Sequence, residues 1–170
     1  MKRQKKINNK GMSLTELIVV MAVMGVVSVG SVIGLGLLHS ASAKEAATKL
    51  NSALNKTRTE CMSKSSASVE IYEDTTDSKY YIVYEVSGNK QDTILIGDKR
   101  VSISFKDTMD DTSVISGNSK LIISFNRDTG SFKSISEENT TLYCKEIYIE
   151  AGHKTYTIQC ERLTGKTTVK

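Results

Sequence analysis

The 170-residue chain has no proline, no tryptophan, two histidines and three cysteines. Without proline, no pyrrolidine ring interrupts a helix or deletes a backbone donor within one. Two histidines, His39 and His153, leave little material for imidazole catalysis or a histidine metal cage. The odd cysteine count leaves at least one of Cys61, Cys144 and Cys160 unpaired within the chain. The formal charge of +4 is also less than it looks. Five of the 23 basic residues, Lys2, Arg3, Lys5, Lys6 and Lys10, lie in the first eleven positions, which hold no acid; removing them leaves 18 basic against 19 acidic residues, a net of −1. Net charge therefore predicts no broadly basic nucleic-acid face. A local patch of Lys56, Arg58, Lys64 and Lys79 stays open.

Enzyme signals are equally sparse. Cys61 and His153 could form a nucleophilic pair, but no supporting motif surrounds either. A buried helix cysteine and a solvated turn histidine account for them. Asp107, Asp110 and Asp111 cluster in residues 107–119, and oxygen-rich loops can bind calcium, but this spacing is not that of an EF-hand. The expectation is no catalytic residue, no metal and no cofactor.

What the chain does have is a long apolar run. Residues 17–38 carry no charge. As a helix they would extend about 33 Å at about 1.5 Å per residue, enough for a bilayer core of roughly 30 Å. The basic flank before them is expected to stay cytoplasmic, so the chain beyond the run is exported. The run is too long for an ordinary signal peptide, although Ser40-Ala41-Ser42-Ala43 supplies the small residues of a cleavage site. One carboxylate, Glu16, sits just inside the start of the run. It has no role in a discarded leader, and in a membrane it is costly enough to imply a partner.

The stretch Lys10-Gly11-Met12-Ser13-Leu14-Thr15-Glu16-Leu17 resembles the leader and cleavage site of type IV prepilins and pseudopilins. The resemblance covers about 28 residues and matches both residue types and spacing. It implies cleavage by a prepilin peptidase after Gly11, N-methylation of Met12, and an assembly role for Glu16 as the fifth mature residue. It departs from the family in two places. The first mature residue is most often Phe and here is Met12, and the helix proline of many relatives is here Ile33. The resemblance further implies an α+β pilin fold, a long N-terminal helix packed on antiparallel β-sheet. Its expected partners are other pilin subunits, the cytoplasmic membrane, and a filament assembly platform with its ATPase. The location implied is a single-pass cytoplasmic membrane protein with its C-terminal domain outside, at the cell surface or extracellular when assembled. Physical chemistry agrees with that role, the bland alternative being a Glu16 that merely snorkels to the membrane edge. Cleavage creates a cationic amine at Met12. A carboxylate left unpaired where little water competes penalises packing out of register.

The chain then divides into a leader (1–11), a transmembrane and filament-core helix (12–38), an amphipathic continuation (39–65) and a globular antiparallel β domain (66–170). Ala43, Ala46, Ala47, Leu50, Ala53, Leu54 and Cys61 recur at three- and four-residue spacing, the mark of a helix stripe seeking a partner surface. One continuous helix is expected from about residue 14 to about residue 62. Alternating β-branched and aromatic residues predict strands near 68–73, 80–86, 93–96, 101–105, 121–126, 131–135, 146–150 and 155–160, with a short last strand within 166–169. Short links between successive strands imply hairpins. Two Thr-Gly turns, at Thr129-Gly130 and Thr164-Gly165, resemble the arrangement of H-type minor pseudopilins.

The last hairpin poses a question about Cys144 and Cys160. A two-residue loop at Gly152-His153 pairs Ile149 with Tyr156 and Ile147 with Ile158. That register puts Cys160 opposite Lys145 and turns Cys144 to the other face. A bulge near Lys145-Glu146 would turn it back. The bridge and the free thiols therefore both stay open, and this pair ranks ahead of any pairing with Cys61. The functional expectation is a structural subunit of a type IV pilus, a type II secretion-like pseudopilus or a competence pseudopilus. The alternative is a minor pilin that binds DNA at a filament tip.

Overall fold

The computed structural model describes residues 13–63, 66–117, 119–136 and 141–170, with the side chains of residues 29–37 outside that description. The chain forms an N-terminal helix followed by antiparallel β-sheets, an α+β architecture of the pilin kind. Helix α1 is Leu14–Ser63, 50 residues long, close to the bounds that periodicity predicts. Two compact units divide the chain, residues 1–35 and 36–170.

In the first unit the described apolar side chains of α1, among them Leu17, Val19, Met21 and Met24, are exposed. Among the described residues no helix is long and apolar enough to cross a membrane. The expected span of residues 17–38 includes the nine positions whose side chains lie outside the description.

In the second unit all seven residues of the expected stripe are buried, from Ala43 to Cys61. Thr57 joins them; its hydroxyl donates to the Ala53 carbonyl at 2.9 Å, so a polar side chain lies in the stripe with its donor satisfied. These alanines, with Leu50 and Leu54, share one buried cluster with the inward residues of the strands.

The strands are β1 (Ala67–Asp74), β2 (Lys79–Val86), β3 (Asn89–Gly97), β4 (Ser102–Asp107), β5 (Thr112–Val114), β6 (Lys120–Ser124), β7 (Cys144–Ala151), β8 (Lys154–Cys160) and β9 (Thr167–Val169). One sheet has the order β3-β2-β1-β6 and the other β5-β4-β7-β8-β9. Inward positions of β1 alternate cleanly, with Ala67, Val69 and Ile71 buried. Ile71 lies between Ile82 and Leu121 in the centre of its sheet. The change Ile71→Val removes one methylene from this site. It should cost about 0.5–1.5 kcal/mol of unfolding free energy, read as a lower denaturant midpoint at unchanged slope.

Three expectations are corrected. The short link between the strands expected near 93–96 and 101–105, Gly97-Asp98-Lys99, does not close a hairpin, because β3 and β4 belong to different sheets. There Gly97 lies against the Val101 side chain, Asp98 pairs with Arg100, and the chain passes from one sheet to the other. Residues 131–135 form no strand. Phe132 makes one isolated bridge with Phe125. The Lys133 N–H still donates across the hairpin to the Ser124 carbonyl at 2.9 Å, but that of Phe132 goes to the Arg162 carbonyl at 3.1 Å and that of Ile135 to the Leu142 carbonyl at 2.9 Å, so the hairpin stays short of a strand ladder. Within residues 107–119, expected as loop, β5 pairs with β4.

The two Thr-Gly turns have the same construction. Gly130 donates to the Asn126 carbonyl and Gly165 to the Glu161 carbonyl, each at 2.8 Å, and both glycines have φ near +65°. The turns pack against each other below the end of α1, where Arg58 Nε donates to the Gly130 carbonyl at 3.2 Å.

Candidate functional site

The residues that could have carried other chemistry are held apart or already engaged. Cys61 is buried, and its thiol donates to the Phe125 carbonyl at 3.0 Å. His153 is exposed in the two-residue turn between β7 and β8, so the two form no nucleophilic pair. His39 lies against Gly152 at that turn.

The acids of residues 107–119 serve the loop itself. Asp107 accepts from the backbone N–H groups of Met109 and Asp111 at 2.8 and 3.0 Å. Asp110, at φ 66°, holds Lys145 at 2.8 Å and Lys106 at 3.1 Å. Its carboxyl is held below the ordinary carboxylate range, first by the hydrogen bond from Lys145 and then by that from Lys106. No group of three acids, histidines or cysteines that could hold a metal occurs among the described residues.

The candidate basic patch is dispersed. Lys56 lies over the Tyr84 ring at 4.4 Å, Arg58 is bonded to Gly130, and Lys79 pairs with Asp77 at 2.9 Å. Lys64 lies outside the described residues.

The remaining candidate is the amino end of α1. Ser13 is its N-cap. The Ser13 carbonyl accepts the first helical bond, from the Leu17 N–H at 3.1 Å. The Glu16 N–H donates to Ser13 Oγ at 3.3 Å, and the Ser13 N–H donates to Glu16 Oε2 at 2.9 Å. These two bonds make a reciprocal capping box that satisfies two otherwise unpaired donors. The Thr15 hydroxyl meets the Ser13 hydroxyl at 2.8 Å. Glu16 thus has a local duty that its spacing from Met12 does not disclose. The signal was legible as Ser13-Leu14-Thr15-Glu16, a serine with a glutamate three residues on. A carboxylate in the first turn also suits the positive end of the helix dipole. Gly11 and Met12 lie outside the described residues.

Residues 6–32 match the family model of the prokaryotic N-terminal methylation motif. The chain carries the type IV pilin and pseudopilin signal. The match encloses the Gly11–Met12 junction, the Ser13–Glu16 capping box and the described start of the apolar run. No curated protein and no solved structure matches the chain. The pilin signal supports a pilin-like or pseudopilin subunit that is a substrate of a prepilin peptidase and assembles with other pilins. The family's role is structural, with membrane anchoring before assembly into the filament.

Proposed function

We propose that this chain is a filament subunit whose own chemistry is assembly rather than catalysis. A prepilin peptidase cuts it after Gly11, and Met12 is then N-methylated. Residues 12–38 anchor it in the cytoplasmic membrane as a single pass and later line the filament core. Residues 39–65 carry the amphipathic part of the helix, and residues 66–170 form the β domain on the outer side. Glu16 sets the axial register by pairing with the Met12 amine of a neighbouring subunit. The observation that carries this reading is the motif match over residues 6–32; with cleavage after Gly11, Glu16 would be the fifth mature residue.

The capping box is compatible with that role. A carboxylate offers about four lone-pair sites. The capping bond engages Oε2, leaving Oε1 for a cation. The subunit would serve a type IV pilus, a type II secretion-like pseudopilus or a competence pseudopilus, with an assembly platform and ATPase as its machinery. The H-type minor class is supported by the paired Thr-Gly turns alone. A DNA-capturing tip subunit is the weaker alternative, because Lys56, Arg58 and Lys79 each have other partners.

Coexpression with a prepilin peptidase should shift the intact mass by the loss of residues 1–11 plus one methyl group. Cleavage near Ala43 instead would overturn the proposal, since it would discard Glu16.

A further inference from the structure

The hairpin of β7 and β8 keeps its regular register over most of its length. Ile149 pairs with Tyr156, Ile147 with Ile158 and Glu146 with Gln159. Continued one step, that ladder would put Cys160 opposite Lys145 and turn Cys144 away. On its other side, however, β7 is bulged. Glu146 pairs with Lys106 and Cys144 with Asp107, so Lys145 is passed over. At the bulge Lys145 lies outward, its ammonium 2.8 Å from Asp110 and open to solvent. The extra residue rotates the strand, and Cys144 turns into the interior at 1% exposure. Cys160, at 9% exposure, enters the same core from the adjacent strand. The Cys144 thiol donates to the Glu146 carbonyl at 3.9 Å. Interaction with the Cys160 thiol first, then burial and the charges of Cys160 and Asp107, push it well above its ordinary range. Asp107, the charged group facing the pair, is engaged by the backbone of its own loop.

We propose that Cys144 and Cys160 are a redox pair that closes to an intrachain disulfide, while Cys61 remains a thiol. The two cysteines lie on neighbouring paired strands and are buried in one core, the arrangement from which a bridge can close. Cys61 instead gives its proton to the Phe125 carbonyl from within the helix stripe. The step is thiol–disulfide exchange. Cys160, the more exposed of the pair, attacks a sulfur of a small disulfide donor and releases one donor thiol. Cys144 then attacks the mixed disulfide and releases the second. The pair loses two electrons and two protons, and the donor disulfide becomes two thiols. The bridge encloses residues 145–159 and ties the start of β7 to the end of β8, just before the second Thr-Gly turn.

Closure in the cell rests on the proposed outer location of the β domain, because exported compartments sustain disulfides. Closure of the purified protein does not. The first measurement therefore uses the full-length protein in detergent, equilibrated with mixtures of reduced and oxidised glutathione. It is then quenched with acid, alkylated and mapped without reduction. A Cys144–Cys160 linked peptide with alkylated Cys61 is expected, together with a fall in Tm of roughly 5–10 °C when reductant is added. Free thiols at both positions in oxidised glutathione, or glutathione mixed disulfides that do not resolve, would overturn the pair. The second measurement traps thiols in cells that process the protein. The linked peptide is expected there too. A pair that bridges in glutathione but stays reduced in cells overturns the outer location of the domain and leaves the pair's chemistry standing. The variant Cys61→Ser should keep the linked peptide, and loss of the peptide in that variant would overturn the assignment of partners.

Discussion

Subunits bearing Glu16→Ala should reach the membrane at normal levels yet enter sheared filaments at less than about a tenth of the wild-type amount. Removing a charge eases insertion, so the membrane fraction should not fall. Assembly is different, because on the proposed pairing the substitution would leave the neighbouring Met12 amine without its counter-ion. Breaking one half of a poorly hydrated ion pair costs about 3–5 kcal/mol, and about 1.4 kcal/mol is already a tenfold effect. The capping box adds a second loss, since Ala cannot accept from the Ser13 N–H. Two further variants separate the contributions. Glu16→Gln keeps an acceptor that can still close the capping box but removes the charge. Ser13→Ala removes the other half of the box, at a cost of about 1 kcal/mol, and leaves the charge in place. If Glu16 acts by ion pairing, Gln should fail nearly as badly as Ala, and Ser13→Ala should assemble almost normally. Normal incorporation of the Gln variant would sink the charge-pairing role and leave Glu16 as a helix cap.

The largest expected effect on folding comes from Gly165→Ala. A Cβ at this position would lie 1.8 Å from the Gly130 carbonyl oxygen, and the residue has φ +65°. The left-handed conformation costs an alanine about 1–2 kcal/mol. Relieving the backbone overlap must also push the two Thr-Gly turns apart, at an overpacking cost of about 1–3 kcal/mol. Together these predict a loss of about 2–5 kcal/mol in denaturant unfolding. Gly130→Ala is the informative comparison, because its φ is the same but its Cβ would meet Met62 Sδ and the Arg58 side chain, which can give way. Gly165→Ala should therefore be the more damaging of the two. An equal loss in both variants would show that conformation alone sets the cost and that the contact between the turns contributes nothing.

Much of this molecule was written locally. The helix bounds follow from uninterrupted periodicity without proline. The buried stripe follows from the three- and four-residue spacing of Ala43 to Cys61. The final hairpin register follows from a two-residue turn and matched isoleucines. Each of these features depends on neighbours a few positions away, which a periodic pattern records. The pilin signal is of the same kind, since its residues are consecutive and its spacing is fixed by one helix. Even the capping box was present as a serine and a glutamate three residues apart. It is masked there by the spacing of the same carboxylate from Met12, which points to assembly.

Sequence by itself thus determined the pilin signal of the chain, its helix and its buried stripe. Tertiary structure alone decided the rest. Pairing of β1 with β6, the passage from β3 into the second sheet, and the bond of the Phe132 N–H to the Arg162 carbonyl depend on residues far apart in sequence. The decisive case is the bulge at Lys145. Local alternation turns Cys144 outward, but at the bulge Lys145 lies outward against an aspartate 35 positions earlier and the cysteine is buried. Strand alternation has a period of two, so one extra residue exchanges the two faces. The partner that holds that residue in place was brought there by the fold.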